Sequence, residues 1–233
     1  MSKELTDRIA LVTGASRGLG YALARALAAP GAHVVAVART VGGLEELDDE
    51  IQGGGGQATL VPLDLTDDPA LERLGAALHE RWGRLDLWAH TAIYPAGLTP
   101  VEHIDVKDLD RTIATNIRVP QRLIRVLDPL LRQSAAGRAV FFTDPGSVDQ
   151  QYQGTYAMAK AAASEMAMRW GREASATSPL RVIEAAVPPM ATALRARFHP
   201  GEDTSGHAAT SDVADRMITH LIAGAQGRID LGS

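Results

Sequence analysis

Short apolar runs alternate with segments of helical periodicity from one end of the chain to the other. Runs of four to six mainly apolar residues predict buried β-strands. These runs occupy residues 9–13, 33–38, 58–63, 85–90, 138–143, 180–185 and 228–231. Strands that alternate with helices indicate βαβ units. The pattern therefore predicts an α/β fold with a single doubly wound parallel sheet and helices on both faces.

Segments with helical periodicity separate these runs. They cover residues 19–29, 41–52, 67–82, 106–131, 155–176 and 211–223. Pro120 and Pro129 lie inside the fourth of them and predict a bend or an interruption there. No linker divides the chain, so residues 1–233 are interpreted as one domain. Residues 187–210 form the longest segment without a predicted element. Because long loops in compact domains are often functional, we expect a substrate lid there.

Composition and charge narrow the possible functions. The chain of 233 residues carries a formal net charge of −5 and contains no cysteine. A nucleic-acid-binding protein is not expected, because there is no run of three basic residues and aromatic residues make up only 4%. A disulfide scaffold and a cysteine nucleophile are excluded. No apolar run is long enough for a membrane span, and no signal segment opens the chain, so we expect a cytoplasmic protein.

A glycine-rich segment follows the first predicted strand directly and opens the first predicted helix. It reads Thr13-Gly-Ala-Ser-Arg-Gly-Leu-Gly20, with glycines at 14, 18 and 20. Such a loop turns tightly and directs the N–H groups of the helix N-terminus at a phosphate. The alternative is a turn selected only for packing, but glycines in these positions lower stability unless close approach requires them. The context therefore predicts a dinucleotide site.

The residues after the second predicted strand indicate which dinucleotide binds. An NAD site usually has an acidic residue there, which bonds the ribose 2′-hydroxyl. This chain has Arg39 and Thr40 instead, and Arg17 lies inside the glycine loop. Guanidinium groups suit a 2′-phosphate. We therefore expect NADP(H) to be favoured over NAD(H); the alternative is a pair of solvated surface arginines.

Tyr156 and Lys160 lie four residues apart on a predicted helix and so share one face. A phenol titrates near pH 10, and a neighbouring ammonium group is expected to lower its pKa. Tyr156 is then able to pass a proton to a carbonyl oxygen while hydride arrives from a nicotinamide. Without the glycine loop, an exposed amphipathic contact would be the better interpretation of this pair.

These motifs together resemble the short-chain dehydrogenase/reductase family, whose members have a Rossmann fold, over nearly the whole chain. Asn116 in Thr-Asn-Ile and Asp64 in Leu-Asp-Leu match two further family positions. The resemblance implies that Asp64 contacts adenine, Asn116 joins a water-bridged proton relay, and Lys160 bonds the nicotinamide ribose. It also implies that Thr192 contacts the carboxamide and phosphate. The implied cofactor-binding residues are Gly14, Ser16, Arg17, Gly18, Leu19, Gly20, Arg39, Asp64, Leu65, Tyr156, Lys160 and Thr192.

The chain departs from the family at the end of the fifth strand, where the family has a serine that binds the substrate oxygen. Counting along the strand places Asp144 there, and counting back from Tyr156 places Thr143 there. Ser147 is a third candidate. An ionised Asp144 would repel a developing oxyanion and raise the tyrosine pKa, whereas a protonated one could donate a hydrogen bond. The predicted catalytic set is therefore Tyr156, Lys160, Asn116, Asp144 and Thr143.

Two further departures leave two functions open. Ile93 replaces a family glycine beside the cofactor, and Pro188 occupies the position of a second one. The first hypothesis is an NADP-dependent oxidoreductase acting on a small carbonyl compound or secondary alcohol. The second is a catalytically impaired protein of the same fold that binds a nucleotide or pairs with an active relative.

Histidines and small residues lead to the last two expectations. The histidines are scattered, so no metal site is predicted, and His90 is interpreted as a structural hydrogen-bond partner. The helices over 106–131 and 155–176 contain many small residues that allow close helix approach. We therefore expect a homodimer or homotetramer built on these helices, as the resemblance also implies.

Overall fold

The computed structural model describes residues 4–147 and 150–232. Seven strands within these residues form one parallel sheet, in the order β3-β2-β1-β4-β5-β6-β7. Every neighbouring pair of strands is parallel. The strands are β1 Ile9–Thr13, β2 His33–Ala38, β3 Gln57–Pro62, β4 Leu87–His90, β5 Arg138–Thr143, β6 Arg181–Ala186 and β7 Gly227–Asp230. The predicted doubly wound sheet is confirmed.

Helices cover both faces of this sheet. They are α1 Gly18–Ala28, α2 Val41–Gly53, α3 Asp68–Trp82, α4 Val106–Ile113, α5 Val119–Gln133, α6 Gly154–Ser175, α7 Ala193–Phe198 and α8 Thr210–Ile222. In the part of the chain that the structure describes, no helix combines the length and apolarity needed to cross a membrane. The same residues contain no cluster of three histidine or acidic side chains suited to a metal ion.

An apolar layer covers each face of the sheet, and successive residues along a strand pack into opposite layers. Ala10 and Val12 of β1 join the layer with α1, α2 and α8. Ile9 and Leu11 join the layer with α3, α5 and α6. Because both faces are covered, every residue of β1 is buried. This explains why the strands appear as continuous apolar runs and not as alternating patterns.

The predicted helix over 106–131 is continuous through both prolines. A π-helical turn at Ala114–Arg118 joins α4 to α5, and Pro120 lies in the first turn of α5. Pro120 has no N–H, so the usual i to i−4 bond to the Asn116 carbonyl cannot form, and the wider π-turn accommodates this loss. The expected interruption is therefore a local change of helix type. Pro129 lies inside α5 without ending it.

Candidate active site

The carboxyl ends of the central strands surround a cleft of about 850 Å³. Loops after parallel strands meet at one edge of the sheet, and this edge is where such folds bind ligands. The glycine loop, the end of β2, the start of α6 and residues 187–199 all line the cleft. Most of the catalytic and cofactor-binding residues predicted from the sequence therefore line this one cleft.

The glycine loop packs tightly against its own backbone and against residues 91–92, which follow β4. Gly14 has φ of 91°, and a Cβ there would lie 2.6 Å from the Ala92 nitrogen. A Cβ on Gly20 would lie 2.3 Å from the Gly14 carbonyl oxygen. Neither position tolerates a side chain without displacement of backbone. The loop leads directly into the N-terminus of α1, where free N–H groups favour an anion.

Cationic side chains border the part of the cleft nearest β2. Arg17 and Arg39 are exposed and line it together with Ser16, Leu19 and Asp64. Hydrogen bonds from the backbone and hydroxyl of Thr66 hold the pKa of Asp64 below its usual value, and nearby Arg39 also lowers it. This cradle of glycines and arginines fits the phosphates of a dinucleotide, and the carboxylate of Asp64 is available to a polar ring edge.

Tyr156 and Lys160 project from α6 into the same cleft. The Tyr156 hydroxyl donates a long hydrogen bond of 3.4 Å to a carboxylate oxygen of Asp144. Lys160 Nζ donates to the Phe142 carbonyl oxygen at 2.8 Å and lies 5.7 Å from the centre of the Tyr156 ring. Burial of the ammonium group lowers the pKa of Lys160 to about 8, although nearby Asp144 acts in the opposite direction.

The expectation that Lys160 lowers the tyrosine pKa is wrong for this arrangement. The pKa of Tyr156 is raised well above 10, first by burial and then by the charge and hydrogen bond of Asp144. Tyr156 is only 2% exposed, so desolvation penalises its phenolate strongly. The phenol is therefore a proton donor that stays protonated at neutral pH.

The structure distinguishes the three candidates for the missing serine. Asp144 lines the cleft, as Tyr156 does, whereas Thr143 lines a small adjoining cavity of about 30 Å³. Ser147 is buried, and its hydroxyl donates to the Asp144 carbonyl oxygen at 2.8 Å. Of the three candidates, only Asp144 lines the cleft. The helical 3₁₀ turn Pro145–Ser147 that follows it turns Ser147 inward.

The small cavity also places Asn116 and His90. Both line it together with Lys160. The Asn116 side chain is held by the Tyr94 backbone, since its oxygen accepts from the Tyr94 N–H at 2.7 Å and its amide donates to the Tyr94 carbonyl at 2.8 Å. His90 Nδ1 bonds Thr13 Oγ1 at 2.8 Å, and burial lowers its pKa to about 3. The cavity has room for a water molecule between these groups.

Residues 187–210, the expected lid, contain the short helix α7, which was not predicted from the sequence, and they contact Tyr156 through Phe198. Phe198 of α7 packs edge-on against the Tyr156 ring with 4.9 Å between ring centres, and it is buried. Arg195 donates two hydrogen bonds to Glu202, at 2.7 and 2.5 Å. These contacts join side chains seven residues apart through a turn, so helical periodicity contains no signal for them.

Thr192 lies where this segment meets the cleft. Its hydroxyl accepts from the Arg195 N–H at 3.2 Å and so caps the N-terminus of α7. The residue also lines the cleft, and its methyl group would lie 3.8 Å from a Cβ on Gly18. Ile93 lines the cleft as well. Leu65 is buried beside Asp64 and forms part of the cleft wall.

The strand order and the glycine cradle define a dinucleotide-binding α/β protein, and comparison with known proteins identifies its family. The sequence profile of short chain dehydrogenases matches residues 8–203. A fatty acyl-CoA reductase of Acinetobacter baylyi is 33% identical over 145 residues, which are 62% of this chain and 49% of that protein. The chain thus spans about half the length of the curated relatives it matches. It belongs to the short chain dehydrogenase family.

Solved structures agree over the whole chain. A short chain dehydrogenase from Pseudomonas syringae has 28% identity and a TM-score of 0.93, with 99% of this chain and 97% of that chain covered. A short chain dehydrogenase from Shigella flexneri in complex with NADP has 27% identity and a TM-score of 0.91, with 100% of both chains covered.

Proposed function

We propose that this protein is an NADP-dependent oxidoreductase that transfers hydride between the nicotinamide and a carbonyl compound or secondary alcohol. The observation that supports this most strongly is the cleft itself. It joins a glycine cradle, two arginines and a Tyr/Lys pair in one space of about 850 Å³. The similarity to a dehydrogenase structure in complex with NADP supports the same cofactor.

In this proposal, each group of residues in the cleft has a role in binding the cofactor or in transferring the proton. The glycine loop and the N-terminus of α1 would hold the pyrophosphate, Arg17 and Arg39 the 2′-phosphate, and Asp64 the adenine. Lys160 would bond the ribose. When bound, the nicotinamide supplies or accepts hydride. Tyr156 holds the proton at its hydroxyl and exchanges it with the substrate oxygen, and Asn116 and Lys160 border the small cavity through which a water would replenish that proton.

The second candidate, a nucleotide-binding protein with weak or no turnover, is favoured by one observation. The Asp144 carboxylate accepts the hydrogen bond of the Tyr156 hydroxyl, so the phenol is turned toward a negative group. A developing oxyanion at this place would be repelled. We therefore expect slow reduction of simple ketones by the wild-type chain, and binding of NADPH even where turnover is undetectable.

Substitution of Arg39 tests the nucleotide preference. Arg39→Ala should weaken NADPH binding by roughly 1.5–3 kcal/mol and leave NADH binding nearly unchanged, because only NADPH has a 2′-phosphate for the guanidinium. Titration of both nucleotides, followed by nicotinamide fluorescence, measures the difference. Arg172→Ala, which removes an exposed arginine of α6 outside the cleft, is the control. Equal weakening of both nucleotides would show that Arg39 does not read the phosphate.

We further propose that residues 187–210 act as a substrate lid.

We also propose that the protein forms a homodimer or homotetramer. Val106 of α4 and Met158 of α6 are 68% and 42% exposed, although both are large and apolar. We expect light scattering to give a multiple of the 24.7 kDa chain mass and Met158→Glu to reduce it. Val41→Glu, at an exposed apolar residue of α2, should not. A single-chain mass at micromolar concentration would contradict the assembly.

A further inference from the structure

The carboxylate of Asp144 lies beside the Tyr156 hydroxyl. Asp144 is partly exposed and lines the cleft, and its carboxylate oxygen lies 3.4 Å from the Tyr156 hydroxyl. Within residues 4–147 and 150–232, no salt bridge neutralises Asp144. A substrate atom that approaches the Tyr156 hydroxyl from the cleft therefore also comes close to the Asp144 carboxylate.

Two cationic groups interact electrostatically with Asp144, and both are hydrogen-bonded to other groups. Lys160 Nζ donates to the Phe142 carbonyl oxygen at 2.8 Å and lies 5.7 Å from the centre of the Tyr156 ring. The Arg195 guanidinium attracts Asp144 but is held by both carboxylate oxygens of Glu202, which offset its charge. The carboxylate consequently remains available to a cationic ligand.

Carbonyl and imine substrates respond to this carboxylate in opposite ways. Hydride addition to a ketone moves negative charge onto oxygen, and a nearby carboxylate opposes this. A protonated imine begins with positive charge on nitrogen and becomes a neutral amine. A carboxylate stabilises such a cation and accepts its N–H as a charge-assisted hydrogen bond.

We propose that the cleft takes protonated imines, with Asp144 as the residue that selects C=N over C=O. The inference rests on the proposed NADPH-dependent function and specifies its substrate class. The iminium N–H donates to Asp144, hydride adds to the imine carbon, and the C=N π pair becomes the nitrogen lone pair. The iminium is reduced to an amine, NADPH is oxidised to NADP⁺, and no proton leaves the protein.

A ring-matched pair of substrates tests the selection through turnover. Oxidation of NADPH is followed with dihydroisoquinoline, which is a cyclic imine, and with α-tetralone, which is a ketone of similar size. We expect wild-type kcat/KM to be at least about 10-fold higher for the imine. Asp144→Ser should lower the imine rate by about 10- to 100-fold and raise the ketone rate. A wild-type preference for the ketone that Asp144→Ser leaves unchanged would overturn the proposal, while the oxidoreductase function would stand.

Binding of the product gives a second readout that does not depend on turnover. Tetrahydroisoquinolinium and α-tetralol are titrated calorimetrically into protein with and without NADP⁺. We expect the cation to bind about 10- to 100-fold more weakly to Asp144→Asn, with alcohol binding unchanged, and Asp49→Asn on the exposed face of α2 to behave as wild type. Equal cation binding by wild type and Asp144→Asn would overturn the proposal. Failure to bind NADP(H) would instead contradict the proposed function.

Discussion

Replacing Tyr156 with phenylalanine should lower kcat by about 100- to 10,000-fold, the usual contribution of a positioned proton donor. The substitution removes one hydroxyl and preserves the ring that packs against Phe198. The phenol lines the cleft and is protonated at neutral pH, so its hydroxyl carries a proton for a carbonyl oxygen, although the raised pKa makes it a weaker acid. The measurement is NADPH oxidation with the most reactive ketone of a panel, at saturating nucleotide.

Tyr152→Phe is the matched control, because Tyr152 is 53% exposed and lies four residues before Tyr156 outside the cleft. Its kcat should equal that of the wild type. The dissociation constant for NADPH should change little in either variant. A Tyr156→Phe protein that retains wild-type turnover and an unchanged thermal transition would show that the proton comes from another group.

Replacing Asp144 with serine should raise kcat for ketones by up to about 100-fold. Two changes act together, since the substitution removes a carboxylate that repels the developing oxyanion and supplies a neutral hydroxyl donor. One preorganised donor contributes about 2.7–4 kcal/mol to such a transition state. The same change removes the hydrogen bond and charge that raise the Tyr156 pKa, so the phenol should titrate at lower pH.

Steady-state kinetics and a pH titration of the tyrosine absorbance measure these two effects. Asp144→Asn separates them, because it removes the charge without restoring a hydroxyl and should give an intermediate rate. A wild-type enzyme that reduces ketones rapidly at neutral pH and is slowed by Asp144→Ser would contradict this account. In that case Asp144 would be acting as a protonated donor to the substrate oxygen.

Local patterns predicted most of the sheet because the strands are covered on both faces. The apolar runs of β1 and β2 are continuous, so the ends of these strands are clear from the sequence. Both strands were predicted at their observed bounds. The start of β4 was predicted two residues early. Leu85 is apolar and buried, but its N–H bonds the Leu130 carbonyl and not a neighbouring strand. Apolar character alone cannot separate these two forms of burial.

The site was only partly accessible to sequence reasoning. Spacing correctly brought Tyr156, Lys160 and the glycine loop to one cleft, because these residues lie at the carboxyl ends of parallel strands or one helical turn apart. The choice between Thr143 and Asp144 needed the structure, since it depends on which side chain faces the cleft where β5 ends. The packing of Phe198 on Tyr156 depends on how a long loop returns to the sheet, which no local pattern specifies.

The most direct test of the central claim is titration of NADPH into wild-type protein, Gly20→Ala and Gly42→Ala. A Cβ at Gly20 would lie 2.3 Å from the Gly14 carbonyl oxygen, whereas a Cβ at Gly42 meets nothing within 4 Å. If the glycine loop cradles the nucleotide, wild type and Gly42→Ala should bind NADPH equally. Gly20→Ala should bind it at least about 10-fold more weakly while its circular dichroism stays that of a folded protein. Unchanged binding by a folded Gly20→Ala protein, or no binding by the wild type, would contradict the assignment of this cleft as a nicotinamide-nucleotide site.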